Sequence, residues 1–231
     1  MVFTQRLTAH LGSLATGHGF GTISLNSNIA RFVWGGVVKT FRYPTNTTQR
    51  LRASPMPLDD QSKQVLAGLI DELRSAIPKT FDSLIDEFPD LCGFAIGTTV
   101  YIEFVTPIYQ TSNELPDGEQ SCWERFSPPE WAVMNDRNRN DSFGDAVASA
   151  RSALEEHCSS VDGDTSYKIR MAYLDALLSL FVELESGKKF GAKTDKRFLA
   201  IWIPDNSGWL IKSSEKLNTK ATHKRLLEHV G

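Results

Sequence analysis

Apolar residues recur at helical spacing over much of the chain. The longest such stretch follows Asp59 and Asp60, two acids placed where the helix dipole favours them, and covers residues 65–77. The spacing continues beyond Pro78 to Phe88, which predicts that the helix restarts after the proline. We therefore expect a long helix that is interrupted near its middle.

The same periodicity predicts four further helices. They cover residues 2–15, 143–158 and 167–184, and a last one runs from about residue 219 to the end. The helix at 167–184 has the strongest apolar stripe of the five.

Strand signals occur mainly in pairs. Residues 30–43 form two strand-like halves joined by Gly35 and Gly36, a pair that supplies the positive φ of a tight turn. A second hairpin is predicted from residues 91–96 and 99–105, which are rich in aromatic and β-branched side chains. Hairpins that alternate with helices predict an α+β fold, with a mainly antiparallel sheet built from hairpins and covered by helices.

Two more strands are expected near the C-terminus. Residues 198–203 form an apolar run, and residues 209–211 form a shorter one after a turn that contains Pro204 and Gly208. Both runs are short enough to be strands of the same sheet.

A change of composition divides the chain. Residues 44–57 contain three prolines together with Asn46, Ser54 and several threonines, a composition typical of a linker. We therefore predict an N-terminal extension of one helix and a hairpin at residues 1–57, followed by an α+β domain at residues 58–231.

Composition excludes several classes of protein. The chain has 231 residues, of which 41% are hydrophobic and 23% charged, so wholesale disorder and a fibrous repeat are excluded. No apolar run approaches the roughly 20 residues of a membrane-spanning helix. Three widely spaced cysteines suit a reducing compartment, and the N-terminal hairpin favours folded structure over a cleaved presequence. We expect a cytoplasmic protein without a membrane partner.

The net charge of −3 conceals three blocks of different sign. Residues 1–58 carry a balance of +6, residues 59–166 a balance of −14, and the remainder +5. The densest acidic stretch lies between residues 114 and 136, in a long, poorly periodic and proline-containing segment. Long loops of this kind are often functional, and local negative potential attracts basic partners. A solvated loop is the alternative.

No residue pattern identifies a reaction. The glycines around Gly19 lack the Lys and Ser or Thr of a phosphate loop, and the five histidines lack metal-ligand spacing. We therefore predict no catalytic residue, no metal and no cofactor. A hydrolase that uses carboxylates such as Glu103, Glu124 and Glu130, or a cysteine, is the alternative.

A cluster of bases at residues 188–197 defines a second alternative. It contains four lysines and one arginine between a helix and a strand, and such charge attracts phosphates. The pI near 6.0 and the acidic centre argue against a nucleic-acid partner.

Several short motifs occur in order along residues 58–231. They are Phe94 and Ala95; Ser127, Pro128, Glu130 and Trp131; Phe190 and Gly191; residues 201–203; and Ser214, Leu217 and Asn218. Together they resemble a bacterial family known only as domain of unknown function number 4303. Members of that family resemble proteins found in bacterial toxin and immunity neighbourhoods, where small α+β domains bind and neutralise a cognate toxin.

The resemblance implies a protein partner, and the acidic segment agrees with it. Two tryptophans there supply the aromatic area typical of interface hot spots, while carboxylates complement a basic toxin surface. We predict a non-enzymatic immunity protein that occludes a basic toxin domain. The predicted contacts are Glu119, Trp123, Glu124, Glu130 and Trp131. Packing of either tryptophan into the core is the alternative.

Overall fold

The computed structural model describes the backbone of residues 25–26, 29–34, 37–42 and 137–141. It describes backbone and side chains of residues 57–115, 123–131 and 142–230. The chain divides into two compact units, Met1–Pro57 and Leu58–Gly231.

The N-terminal unit contains a three-stranded antiparallel sheet. Its strands are β1 (Leu25–Asn26), β2 (Ile29–Trp34) and β3 (Val37–Arg42), paired in that order. The predicted hairpin at residues 30–43 is confirmed, because β2 and β3 pair antiparallel with Trp34 opposite Val37. The predicted helix at residues 2–15 lies outside the described residues, as does the predicted linker at residues 44–57 except for its last residue.

The second unit starts with α1 (Asp60–Glu87), a single helix of 28 residues that contains Pro78. Asp59 is its N-cap, and the Asp59 carboxylate accepts a hydrogen bond from the Ser62 amide at 2.6 Å. The predicted restart at Pro78 is wrong, since the helix is continuous. An interior proline costs about 3 kcal/mol, which the buried face on both sides offsets. That face comprises Leu69, Leu73, Ala76, Ile77, Phe81 and Leu84.

A hairpin follows, formed by β4 (Leu91–Thr98) and β5 (Val105–Thr111). The predicted second strand at residues 99–105 is wrong, because residues 99–104 form the connecting loop. Threonine hydroxyls replace ladder bonds there: Thr98 Oγ1 donates to the Phe104 carbonyl at 2.9 Å, and Thr99 Oγ1 accepts from the Glu103 amide at 3.1 Å.

Between this hairpin and the next strand, the described residues form two α-helices. They are α2 (Arg137–Ser160) and α3 (Gly163–Ser186), which contain the predicted helices at 143–158 and 167–184. The next strand, β6 (Phe198–Trp202), pairs with β4 in parallel, and the strand order is β5-β4-β6. The α+β class is therefore confirmed, but this sheet is mixed rather than mainly antiparallel.

Two helices complete the unit, α4 (Ser207–Leu217) and α5 (Lys220–Val230). The expected C-terminal helix is confirmed as α5. The strand expected at residues 209–211 is wrong, because those residues lie in α4, where Trp209, Leu210 and Leu217 are buried at helical spacing. An apolar run this short fits either element, and burial of the helical face decides for α4.

Side chains after β6 close the outer edge of that strand. The Asn218 side-chain amide donates to the Leu199 carbonyl at 2.7 Å and accepts from the Leu199 amide at 2.8 Å. Ser213 Oγ accepts from the Ile201 amide at 3.0 Å. These side chains occupy positions that the backbone of a neighbouring strand would take. The backbone groups of Leu199 and Ile201 at this edge therefore have hydrogen-bond partners without another strand.

Apolar side chains pack on both faces of the sheet. Phe94, Ile96 and Ile201 belong to the larger core formed with α1, α2 and α3. The smaller core contains Ala95, Ile108, Phe126, Trp131, Phe198, Ala200, Leu210 and Leu226. The segment with the predicted contact residues therefore takes part in the second core.

Candidate functional site

The segment of residues 123–131, here called the tryptophan segment, consists of two short 3-10 turns, Trp123–Phe126 and Pro128–Glu130. It packs on a face of β4 that carries small residues. A Cβ added at Gly93 would lie 3.0 Å from Trp131 Cη2 and 3.1 Å from Gln110 Cβ. Glycine at this position therefore leaves room for the indole ring of Trp131 on the sheet.

Two aromatic side chains anchor the tryptophan segment. The Trp131 side chain, only 2% exposed, packs edge to face against Phe198 with ring centroids 6.3 Å apart. Phe126 packs edge to face on the same Phe198 ring at 5.1 Å and stacks on His229 at 5.4 Å. The segment is thus attached to both the sheet and α5 through aromatic contacts.

Hydrogen bonds fix the backbone between these anchors. The Glu124 carbonyl accepts from Trp131 Nε1 at 2.9 Å and from Gln110 Nε2 at 3.3 Å. A carbonyl with two side-chain donors has both lone pairs satisfied, so the first turn is held to β5 and to the second turn.

A buried arginine adds a third attachment. Arg125 is buried, and its Nη2 donates to the Asp195 carbonyl at 3.4 Å. Arg225 Nη2 of α5 donates to the same carbonyl at 2.9 Å. The tryptophan segment, the loop before β6 and α5 therefore meet at one backbone oxygen.

The predicted contact residues have different positions in this frame. Trp123 is 44% exposed and Glu130 is also exposed, while Glu124 is half-buried. Trp131 is buried and its ring belongs to the smaller core, the alternative that the sequence analysis gave for this residue. Glu119 lies outside the described residues.

A serine and a histidine that the sequence analysis missed are hydrogen-bonded. Ser62 Oγ lies 2.9 Å from His157 Nε2, although the residues are 95 positions apart. A nucleophile and its base have this geometry, but the two residues are only 0% and 7% exposed. The pair joins the first turn of α1 to the last turn of α2, where substrate has no access in this structure. No sequence signal pointed to it, since the contact depends on how the helices pack.

The cysteines that the structure describes do not expose their thiols. Cys92 and Cys158 are both buried. Burial raises the pKa of the Cys158 thiol above its ordinary value, which keeps the sulfur protonated and a weak nucleophile. Cys122 lies outside the described residues.

The described part of the chain contains neither a metal-binding cluster nor a membrane-spanning helix. It contains no group of three or more His, Cys, Asp or Glu side chains arranged to hold a metal ion. None of its helices combines the length and apolar character needed to cross a membrane.

The predicted basic cluster lies in a loop between α3 and β6, here called the basic loop, residues 187–197. Arg197 is buried there, and its Nη2 pairs with Glu185 Oε1 at 2.5 Å while its Nη1 donates to the Phe190 carbonyl at 2.5 Å. Lys193 Nζ donates to the Lys216 carbonyl at 3.1 Å. Arg197 is thus a structural residue of the basic loop, and Glu185 balances its charge.

Comparisons with known proteins add no relative: no family model, no curated protein and no solved structure matches this chain.

Proposed function

We propose that this protein is a non-enzymatic, cytoplasmic protein-binding domain, an immunity protein that occludes a basic toxin domain. We also propose that residues 58–231 are a divergent member of the family 4303 type. The observation that carries the proposal is Trp123, a large side chain that is 44% exposed on an anchored segment.

The anchoring matters because binding has an entropic cost. The backbone next to Trp123 is held by the two bonds to the Glu124 carbonyl and by the buried Trp131 and Phe126 rings. A contact residue on such a frame loses little conformational freedom on binding, which favours affinity. Tryptophan is also among the residues most enriched at interface hot spots.

Charge supports a basic partner. Glu124 and Glu130 lie on the same two turns as Trp123, within a block of the chain whose balance is −14. Complementary charge at the rim of an interface increases the association rate and disfavours acidic competitors. A basic surface with an apolar depression for an indole ring is therefore the partner that fits.

Co-expression tests this proposal. The chain would be expressed with a toxin domain encoded next to its gene, and growth would be measured. We expect rescue by the wild type, and we expect Trp123→Ala and the double variant Glu124→Lys with Glu130→Lys to weaken it.

Exposed residues of the same types on the helices provide matched controls. Tyr167→Ala removes an exposed aromatic side chain of α3, and Glu156→Lys reverses an exposed charge of α2. Both controls should rescue like the wild type. Equal rescue by the tryptophan-segment variants and the controls would exclude this segment as the contact surface.

A further inference from the structure

A half-open cavity of about 290 Å³ lies between α1, the start of β4 and the basic loop. Phe81, Phe94 and Phe190 line it, and each of these side chains is almost completely buried. Their rings pack edge to face, with Phe81 centred 5.3 Å from Phe94 and 5.0 Å from Phe190. The cavity therefore has a rigid aromatic lining.

An aliphatic side chain at the cavity remains in contact with water. Ile85 of α1 is 43% exposed and lines the cavity together with the half-buried Leu91. An occupant that covers Ile85 would remove apolar surface from water, which favours a ligand with an apolar body.

The basic loop supplies polar groups to the same cavity. Thr194 and Lys196 line it and are exposed, and Lys196 has no ion pair within the residues that the structure describes. Arg197 also lines it and is 9% exposed, and its Nε is a buried donor without a hydrogen-bond partner in that same part of the chain. Because Glu185 Oε1 balances the charge of Arg197, the uncompensated charge at the cavity is that of Lys196.

We infer that this cavity binds a small amphipathic carboxylate, with its aromatic or branched aliphatic body on the phenylalanine lining and its carboxylate near Thr194 and Lys196. One uncompensated lysine matches a single negative charge. Ligand cavities span roughly 300–1,000 Å³. The volume of about 290 Å³ is at the lower limit of this range, which suits a small ligand with a single ring. The inference goes beyond the proposed function, since the cavity shares no residue with the tryptophan segment.

Three probes of one shape test the inference on the full chain: 3-phenylpropionate, 3-phenylpropan-1-ol and 3-phenylpropylamine. Binding would be measured by isothermal titration calorimetry and by ligand-observed NMR. We expect saturable binding of the carboxylate, weaker binding of the alcohol and the weakest binding of the amine. Equal affinity for the three probes, or no saturable binding of the carboxylate at its solubility limit, would overturn the inference.

Two variants locate the site. Ala192 lines the cavity and is exposed, so Ala192→Trp should block binding without disturbing the core, whereas Ala221→Trp on exposed α5 surface should not. Lys196→Gln should weaken carboxylate binding about two- to fivefold, the range of an exposed ion pair, while Lys189→Gln leaves it unchanged.

The variants would be checked for folding by circular dichroism, and Lys196→Gln serves if Ala192→Trp does not fold. Undiminished binding by the folded Ala192→Trp variant would exclude this cavity. Undiminished binding by Lys196→Gln would exclude lysine as the source of the preference for a carboxylate.

Discussion

Asn218 offers a direct test of how the edge of β6 is stabilised. Its side chain donates to the Leu199 carbonyl at 2.7 Å and accepts from the Leu199 amide at 2.8 Å, and Asn218 is buried. Asn218→Ala leaves a buried N–H and a buried C=O without partners. Each costs about 1–3 kcal/mol, so we expect the free energy of unfolding to fall by roughly 2–6 kcal/mol.

Urea unfolding followed by circular dichroism measures this loss. With a slope of about 2–3 kcal/mol per molar urea for a chain of this size, the midpoint should fall by roughly 1–3 M while the slope stays unchanged. Asn113→Ala removes an exposed side chain of the same type and should change stability by less than about 0.5 kcal/mol.

A second substitution separates the donor from the acceptor. Asn218→Asp keeps an oxygen for the Leu199 amide but places a carboxylate oxygen against the Leu199 carbonyl. That contact raises the pKa of the introduced carboxyl, so this variant should regain stability as pH falls and the protonated group donates again. If Asn218→Ala unfolds at the wild-type urea midpoint, the backbone amide and carbonyl of Leu199 have other hydrogen-bond partners, and the expected loss of stability is refuted.

Other predictions concern the tryptophan segment and a helix cap. Gly93→Ala should displace the Trp131 ring, lower the free energy of unfolding by about 1–3 kcal/mol and change indole fluorescence. Gly68→Ala adds a Cβ on the exposed surface of α1, where it meets nothing within 4 Å, and should raise the free energy of unfolding by up to about 1 kcal/mol. A lower urea midpoint for Gly68→Ala than for Gly93→Ala would contradict the packing argument. Trp131→Ala should lose about 3–5 kcal/mol in urea titrations and Trp123→Ala less than about 0.5 kcal/mol, so similar losses would show that the two rings are not core and surface. Hydrogen bonds from Thr165 and from the first turn of α3 hold the pKa of Asp162 below its ordinary value, so its stabilising effect is present above the unfolded pKa and is lost as pH falls through the folded pKa. Asp162→Asn keeps a capping side chain and should flatten this acid dependence, whereas an unchanged slope would exclude Asp162 as its source.

Hydrophobic periodicity predicted the helices and strands whose buried residues follow a single regular spacing. The helix at residues 167–184 lies within α3, and the strand at residues 198–203 matches β6 within one residue. The errors have local causes. Thr98 and Thr99 direct their hydroxyls to the backbone, which ends β4 and delays β5, and residues 209–211 form a run too short to separate strand from helix.

Contacts between distant residues could not be predicted in the same way. The parallel pairing of β4 with β6 joins residues about a hundred positions apart, and hairpin signals contain no information about it. The burial of Trp131 has the same origin, because it depends on the space above Gly93. The Ser62–His157 bond and the cavity beside the basic loop likewise arise only from packing.

The closure of β6 by α4 and Asn218 also bears on solubility. β6 has the sequence FLAIW, an apolar strand without a charge or proline, which is the type of segment that assembles into intermolecular β-structure. Natural edge strands often carry a protective residue of their own, whereas here Ser213 and Asn218 guard the strand from outside it. Detachment of α4 alone would expose β6, a segment prone to aggregation. The resistance of this protein to aggregation therefore depends on a short helix that lies far in sequence from the proposed binding surface.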